Sequence, residues 1–87
     1  MSREFTVDVT VTLGDDEADV EARAHVLVDE GLGMGGSWGA ATDGDIEIRV
    51  GNDDFWLDAA AHLSPADLEA VEEALCELAM SDHLEVA

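Results

Sequence analysis

Three glycines, Gly31, Gly33 and Gly36, have the spacing G-x-G-x-x-G that cradles a pyrophosphate in dinucleotide-binding proteins. That chemistry places the glycines between a strand and the N-terminus of a helix, whose N–H groups face the phosphates. Here the loop leads through Ser37 and Trp38 toward another predicted strand. Four acids flank it: Asp29, Glu30, Asp43 and Asp45. A phosphate would meet carboxylates and no basic residue, so we interpret the segment as a linker and predict no nucleotide cofactor.

The other residues that could do chemistry do not form a site in the sequence. An EF-hand loop starting at Asp43 would need glycine and glutamate where the chain has Ile48 and Asp54. Three histidines lack the spacing of a zinc site: His25, His62 and His83. Cys76 has no His or Lys beside it on its predicted helix to lower the pKa of its thiol. We therefore predict a protein that is not an enzyme, with no catalytic residues, metal ligands or cofactor.

Negative charge dominates the composition. The chain has 22 acidic residues against three arginines and no lysine, which gives a formal net charge of -19. Such a surface repels phosphates, and this excludes ordinary binding to nucleic acid or to an anionic membrane. Because 47% of the residues are hydrophobic and these are regularly patterned, we predict a folded domain with an acidic surface rather than a disordered chain.

The length and the cysteine content predict one small cytoplasmic domain. The 87 residues are near the lower limit for independent folding, so we expect a single domain over 1–87. Cys76 is the only cysteine, which excludes an internal disulfide and favours a reducing compartment. The N-terminus lacks the apolar segment of a signal peptide, and no stretch approaches the roughly 20 apolar residues of a membrane span. We expect a soluble protein that keeps its N-terminus.

The hydrophobic pattern predicts three strands in the first part of the chain. Strict alternation from Phe5 to Leu13 and again from Val20 to Val28 predicts a β-hairpin over 4–29, turning at the acidic segment after Gly14. A glycine-rich loop follows over 30–44, and the run DIEIRV predicts a strand over 45–50. The segment FWLDAAAHL is ambiguous, because it fits both the end of a strand and the first turn of a helix.

A helix over 64–81 completes the predicted fold. Ser64 is a suitable N-cap, and Pro65 occupies the first helical position, where its missing N–H is not needed. One apolar stripe follows at helical spacing: Leu68, Val71, Leu75, Leu78 and Ala79. We predict an α+β fold, with an antiparallel sheet of three or four strands and this C-terminal helix packed on one face.

Two aromatic side chains have uncertain surroundings in this fold. Trp38, in the predicted loop, either covers an open part of the sheet or stays exposed as an anchor for a partner. We favour packing, because a small domain gains stability from burying an indole, and keep Trp38 as a candidate partner-binding residue. We expect Trp56 to lie partly in the core.

The polar face of the helix carries the leading candidate site. Glu69, Glu73 and Glu77 repeat at i, i+4, about 6 Å apart, and Glu72 extends the edge of this row. Acids spread evenly over the surface could not reproduce the charge density of DNA, whereas a clustered row could approach it. Acids in two predicted turns would assist the contact: Asp15, Asp16, Glu17, Asp53 and Asp54. The expected partner is a basic protein surface, such as that of a nucleic-acid-binding complex.

The order of a β-hairpin, a long loop bearing Trp38, the strand DIEIRV and the helix LSPADLEAVEEAL resembles the small ββ-loop-βα proteins of tailed phages and prophages. The resemblance covers residues 4 to about 80, although the prolines that such proteins often carry in the loop are missing here. It implies no catalytic residue. It does imply one of two roles: an anti-CRISPR or anti-restriction inhibitor that acts as a DNA mimic, or a virion-assembly component.

The acids themselves leave two hypotheses open. In the first, they form a docking surface for a basic partner, as in a DNA mimic. In the second, they keep a halophilic protein soluble in molar salt, where the Debye length falls to about 3 Å and self-repulsion almost disappears. The absence of lysine and the excess of aspartate fit the second hypothesis, in which the function is unrelated to the charge.

Overall fold

The computed structural model of the chain describes residues 2–32, 34–51 and 54–86, which form a four-stranded antiparallel sheet covered by a C-terminal helix. The strands follow one another in the sheet in chain order: β1 (Ser2–Leu13), β2 (Asp16–Glu30), β3 (Trp38–Val50) and β4 (Leu57–Asp58). The helices are a 3-10 turn (Met34–Gly36), α1 (Ala59–His62) and α2 (Pro65–Val86). The predicted α+β fold is confirmed.

The first two strands form the predicted hairpin. They pair in one continuous register from Leu13 opposite Asp16 to Ser2 opposite Leu27. Gly14 has a φ of 65°, a left-handed conformation that glycine adopts without steric cost in a tight turn. Alternate residues point to the core face, as the sequence predicts, and the buried ones are Phe5, Val11, Val20, Ala22, Ala24 and Val26.

The third strand begins at Trp38 rather than at Asp45, so the prediction of a loop over 30–44 is wrong for its second half. Residues 39–42 pair with residues 26–29 of β2. Glycine and alanine have low strand propensity and give no apolar alternation, and pairing with the long β2 overrides this weak local signal. The remaining loop is closed by a hydrogen bond from Gly31 N to Ser37 O of 3.0 Å.

A bulge interrupts β3 between the predicted strand and its extension. Arg23 pairs with Glu47 and His25 with Asp43, so Ala24 of β2 faces residues 44–46 of β3. Gly44 has a φ of 87° and supplies the backbone conformation that this irregularity needs.

The segment FWLDAAAHL after β3 forms both a short strand and a helical turn, the two alternatives that its sequence fits. Leu57 and Asp58 pair with Ile48 and Glu47 as β4. The Asp58 carboxylate then caps α1 by accepting a hydrogen bond of 3.2 Å from Ala60 N. Both β4 and α1 are short. Together they connect the end of β3 to the start of α2.

Helix α2 starts where the sequence predicts and runs further. Ser64 Oγ accepts a hydrogen bond of 3.2 Å from Asp67 N, which confirms the N-cap. The helix continues past Ser81 to Val86, because no glycine or proline interrupts that stretch. Val71, Leu75 and Ala79 are buried, whereas Leu78 is 38% exposed. The expectation that Leu78 is buried is wrong: its spacing fits the apolar stripe, but it lies at the edge of that stripe, where the sheet does not cover it.

Two polar contacts fix the direction of α2 over the sheet. Thr12 N, near the end of β1, donates to Asp67 Oδ2 at 3.0 Å. Arg3 Nη1, near its start, lies 2.7 Å from Asp82 Oδ2. Helix α2 therefore runs antiparallel to β1 and presents its opposite side to solvent.

We predict that Leu75→Ala and Leu78→Ala have very different effects on stability. Leu75 is fully buried, so its truncation leaves a cavity and should lower the free energy of unfolding by about 2–5 kcal/mol. Truncating the half-exposed Leu78 should cost about 1 kcal/mol or less. Urea unfolding followed by circular dichroism at one fixed KCl concentration measures both losses. Equal losses would contradict the observed orientation of α2.

Candidate functional site

The outer face of α2 gathers four carboxylates. Glu69, Glu72, Glu73 and Glu77 are all exposed, as the sequence predicts for this face. Three of them, Glu69, Glu72 and Glu73, surround one shallow hollow together with Cys76. We call these four glutamates the α2 acidic row. Thr42 Oγ1 of β3 donates a hydrogen bond of 3.4 Å to Glu72 Oε1, which connects the row to the sheet.

No arginine compensates the charge of this row. Arg3 pairs with Asp82, Arg23 with Glu47 at 3.1 Å and Arg49 with Glu21. In the described residues, these pairs and a contact of 3.9 Å between His25 and Glu4 are the only ion pairs. All three basic residues with permanent charge are thus engaged elsewhere, and the field of the α2 acidic row is uncompensated.

The opposite, open face of the sheet uses two of the arginines in a crossed pair. Glu21 and Arg23 of β2 stand opposite Arg49 and Glu47 of β3, so each arginine has a carboxylate directly across from it. We did not predict this crossed pair from the sequence. The repeats EAR and EIR indicate it, because they place each arginine opposite a glutamate when the two strands pair antiparallel.

Trp56 lies over this crossed pair and not in the core, so the expectation of partial core burial is wrong. Its ring centroid is 3.9 Å from Cζ of Arg23 and 4.8 Å from Cζ of Arg49. Cation–π attraction to two guanidinium groups holds the indole on the open face, although its apolar area alone favours the core.

Acidic side chains also occupy the rest of the open face. Asp8 stands opposite Glu21, and the Thr10 hydroxyl donates to Asp19 Oδ1 at 2.7 Å. Glu4, Asp8, Asp19 and Asp43 are exposed there. Acids therefore lie on both sides of the molecule, but those of the open face are interleaved with arginine, histidine and threonine. The four glutamates of the α2 acidic row, by contrast, follow one helix and form no ion pair with a described basic residue.

The predicted assisting acids lie at one end of the sheet. Asp15, Asp16 and Glu17 are exposed at the turn of the hairpin, and Asp54 is exposed after β3. The contact between Thr12 N and Asp67 places the hairpin turn near the N-terminal end of α2. Asp53 lies outside the described residues. The structure thus places the hairpin acids beyond the start of α2, whereas the acidic row follows its length.

Trp38 is neither buried nor free of contacts. Its side chain is 48% exposed, and its ring centroid lies 4.7 Å from that of His83 on α2. The ring also borders a cleft lined by Phe5, Val26 and Val28. One side of the indole packs against His83, but Trp38 is not buried as we favoured, and its exposed side is accessible to a partner.

Cys76 beside the acidic row is a protected thiol. Burial raises the pKa of the Cys76 thiol above its ordinary value of 9.0, and the negative charge of Glu72 raises it further. Both effects disfavour the thiolate, which is the nucleophilic form. The arrangement supports packing rather than nucleophilic chemistry at Cys76.

The glycine loop has a different setting from that of a dinucleotide site. Between Gly31 and Trp38 the described residues form one 3-10 turn and then enter β3, and Gly33 lies outside them. Across the described chain no three His, Cys, Asp or Glu side chains are grouped to hold a metal ion. Nor does any helix of that part have both the length and the apolar character to cross a membrane.

Comparisons with protein families, with curated proteins and with solved structures found no match to this chain. The function is therefore argued from the charges and contacts of the chain itself.

We predict that the alkylation of Cys76 by iodoacetamide has its pH inflection above 9.0. Glu72→Gln removes one of the two causes, so the inflection should move down toward 9.0 and the rate at a given pH should rise. Rates measured over a series of pH values by mass spectrometry test this. Asp8→Asn, on the other face of the sheet, is the control and should leave the inflection in place; an inflection below 9.0 would refute the assignment.

Proposed function

We propose that this chain is a non-enzymatic acidic binding protein that docks on a basic, nucleic-acid-binding partner through the α2 acidic row. The observation that carries the proposal is the placement of the three arginines, which all pair away from the row. No arginine pairs with the row, and the helix already holds its carboxylates in place, so the row attracts a basic surface at little cost for ordering the chain.

The spacing of the row supports mimicry of a nucleic-acid strand. Residues 69 to 77 rise by about 12 Å along the helix axis and carry four carboxylates. That is about one charge every 4 Å, compared with about 3.4 Å per phosphate along one strand of duplex DNA. A groove that binds phosphates with lysine and arginine can engage such a row in place of DNA.

The resemblance of the element order to small acidic phage proteins leads to the same expectation. DNA-mimic inhibitors of the anti-CRISPR or anti-restriction kind would take a basic nucleic-acid-binding complex as their target. In this proposal Trp38 and the hairpin acids contribute at the margins of the contact, and the α2 acidic row provides the electrostatic steering.

We predict that replacing Glu69, Glu73 and Glu77 together by glutamine slows association with a basic DNA-binding protein. The bacterial architectural protein HU, which binds duplex DNA, is a suitable probe. At low salt the association rate should fall by about tenfold, and the dependence of the rate on salt should become flatter. Stopped-flow fluorescence with labelled HU over a series of KCl concentrations measures both quantities, and competition with duplex DNA tests mimicry.

The matched control neutralises three exposed acids elsewhere. Asp8→Asn, Glu30→Gln and Asp43→Asn together change the net charge by the same amount without touching α2. If the two triple variants lose the same fraction of rate and of salt dependence, binding depends only on net charge and the proposal of a docking row is wrong.

A specific observation favours the second hypothesis, adaptation to high salt. Glu4, Asp8, Asp19 and Asp43 are exposed on the open face of the sheet, and the proposed contact does not use them. An excess of like charge on one face destabilises a sheet unless salt screens it.

Thermal melts over a series of KCl concentrations separate the two hypotheses. For a docking protein we expect the fold to be present at about 0.15 M salt, with a gradual rise of Tm as screening increases. A halophilic protein would be unfolded in dilute buffer and would fold only in molar KCl. The second result would remove the reason for assigning a function to the charge.

A further inference from the structure

The outer edge of β3 is open over its first half. The short β4 pairs only with Glu47 and Ile48, and within residues 2–32, 34–51 and 54–86 no strand pairs with Trp38 to Thr42 on that side. Most proteins block such an edge with lysine, proline or a covering segment, because free N–H and C=O groups invite another strand. Here the stretch is Trp-Gly-Ala-Ala-Thr, whose small central side chains permit close approach.

The register identifies the backbone groups that are free. The hydrogen bond from Gly31 N to Ser37 O starts the ladder between β2 and β3, and antiparallel bonding alternates from there. Gly39, Ala41 and Asp43 therefore bond to β2. The N–H and C=O groups of Trp38, Ala40 and Thr42 point outward, and no described residue forms a hydrogen bond with them.

Helix α2 runs along this open edge and supplies one wall of a groove. The Trp38 ring contacts His83, and Thr42 Oγ1 reaches Glu72. Between them, Ala40 shares a surface groove with five residues of α2: Glu73, Cys76, Glu77, Met80 and Ser81. The free backbone groups and the α2 acidic row thus face the same strip of solvent.

We propose that the open edge of β3 accepts an extended, basic segment of the partner as an additional antiparallel strand. The backbone of that segment would bond to Trp38, Ala40 and Thr42, and its alternate lysine or arginine side chains would point toward Glu73 and Glu77. Strand addition of this kind takes affinity from the main chain and specificity from alternate side chains. A second copy of this chain is a poor occupant, since both molecules carry the same acidic charge.

The inference rests on the proposed function, because it takes the α2 acidic row as the contact surface. It adds that the contact has a backbone component with a defined direction. In the added strand, residues opposite Trp38, Ala40 and Thr42 have side chains on the α2 side. Their N–H groups point at β3, whereas the N–H groups of the intervening residues point away.

Three peptides of equal charge test this geometry. The first alternates lysine and threonine, KTKTKTK, with blocked ends. The second carries N-methyl groups on the lysine amides and the third on the threonine amides. Fluorescence anisotropy with the full chain should show binding of the first, a loss of affinity of about tenfold or more for the second, and a loss of about threefold or less for the third. Equal affinities for all three, or no binding by the first, would overturn the inference.

A substitution in the chain itself gives a second, independent test of the inference. Ala40→Pro removes one outward N–H, and proline is tolerated on an edge strand where that N–H faces solvent. It should weaken the unmethylated peptide and leave the circular dichroism spectrum unchanged. A second proline substitution, Ala60→Pro, would break α1 and is therefore unsuitable as a control. The control is Ala70→Gly, on the exposed side of α2, which should leave peptide affinity unchanged. An unchanged affinity for Ala40→Pro would overturn the inference.

The outcomes distinguish this inference from the function on which it rests. If the glutamine triple variant slows HU association while the three peptides bind alike, the acidic row docks a partner but the edge does not pair with it. If neither experiment shows a difference, the proposed function itself fails. A dimer in sedimentation that Ala40→Pro dissociates would replace the basic strand with a second copy of the chain.

Discussion

Burial of the inner face of the sheet under α2 is the interaction on which this molecule depends. Val71, Leu75 and Ala79 close over a layer that includes Val26 and Ile48, and no charged side chain is buried in the described residues. A net charge of -19 opposes compaction, and this apolar contact is the main term that offsets it. The carboxylates of the described side chains are consequently at the surface, where solvent and salt screen them.

The three arginines decide where the negative charge is effective. Two of them stabilise the pairing of β2 with β3 beneath Trp56, and the third joins the start of β1 to the end of α2. Because the arginines lie where these elements meet, no arginine lies on the outer face of α2. Because the chain has only three arginines and no lysine, the edge of β3 also lacks a lysine to block it. The open edge and the acidic row therefore occur side by side.

Much of the fold follows from local patterns. Alternation in β1 and β2, the Ser64–Pro65 start of α2 and the spacing of Val71 and Leu75 each predict the observed element. The predictions that failed concern residues whose local signal is weak or divided. Gly39 and Ala40 join a strand because β2 is long enough to pair with them. Leu78 is apolar and correctly spaced, yet its exposure depends on where the helix sits over the sheet.

The sequence by itself determined the elements, the acidic character and the exposure of the glutamate row, because these depend on periodicities of two and 3.6 residues along one segment. Only the tertiary structure decided which charges meet. Pairing of Arg23 with Glu47, the position of Trp56 over two guanidinium groups and the free edge of β3 beside Glu73 all depend on register between segments distant in the chain. Register is set by the packing of the whole sheet, which no single segment encodes.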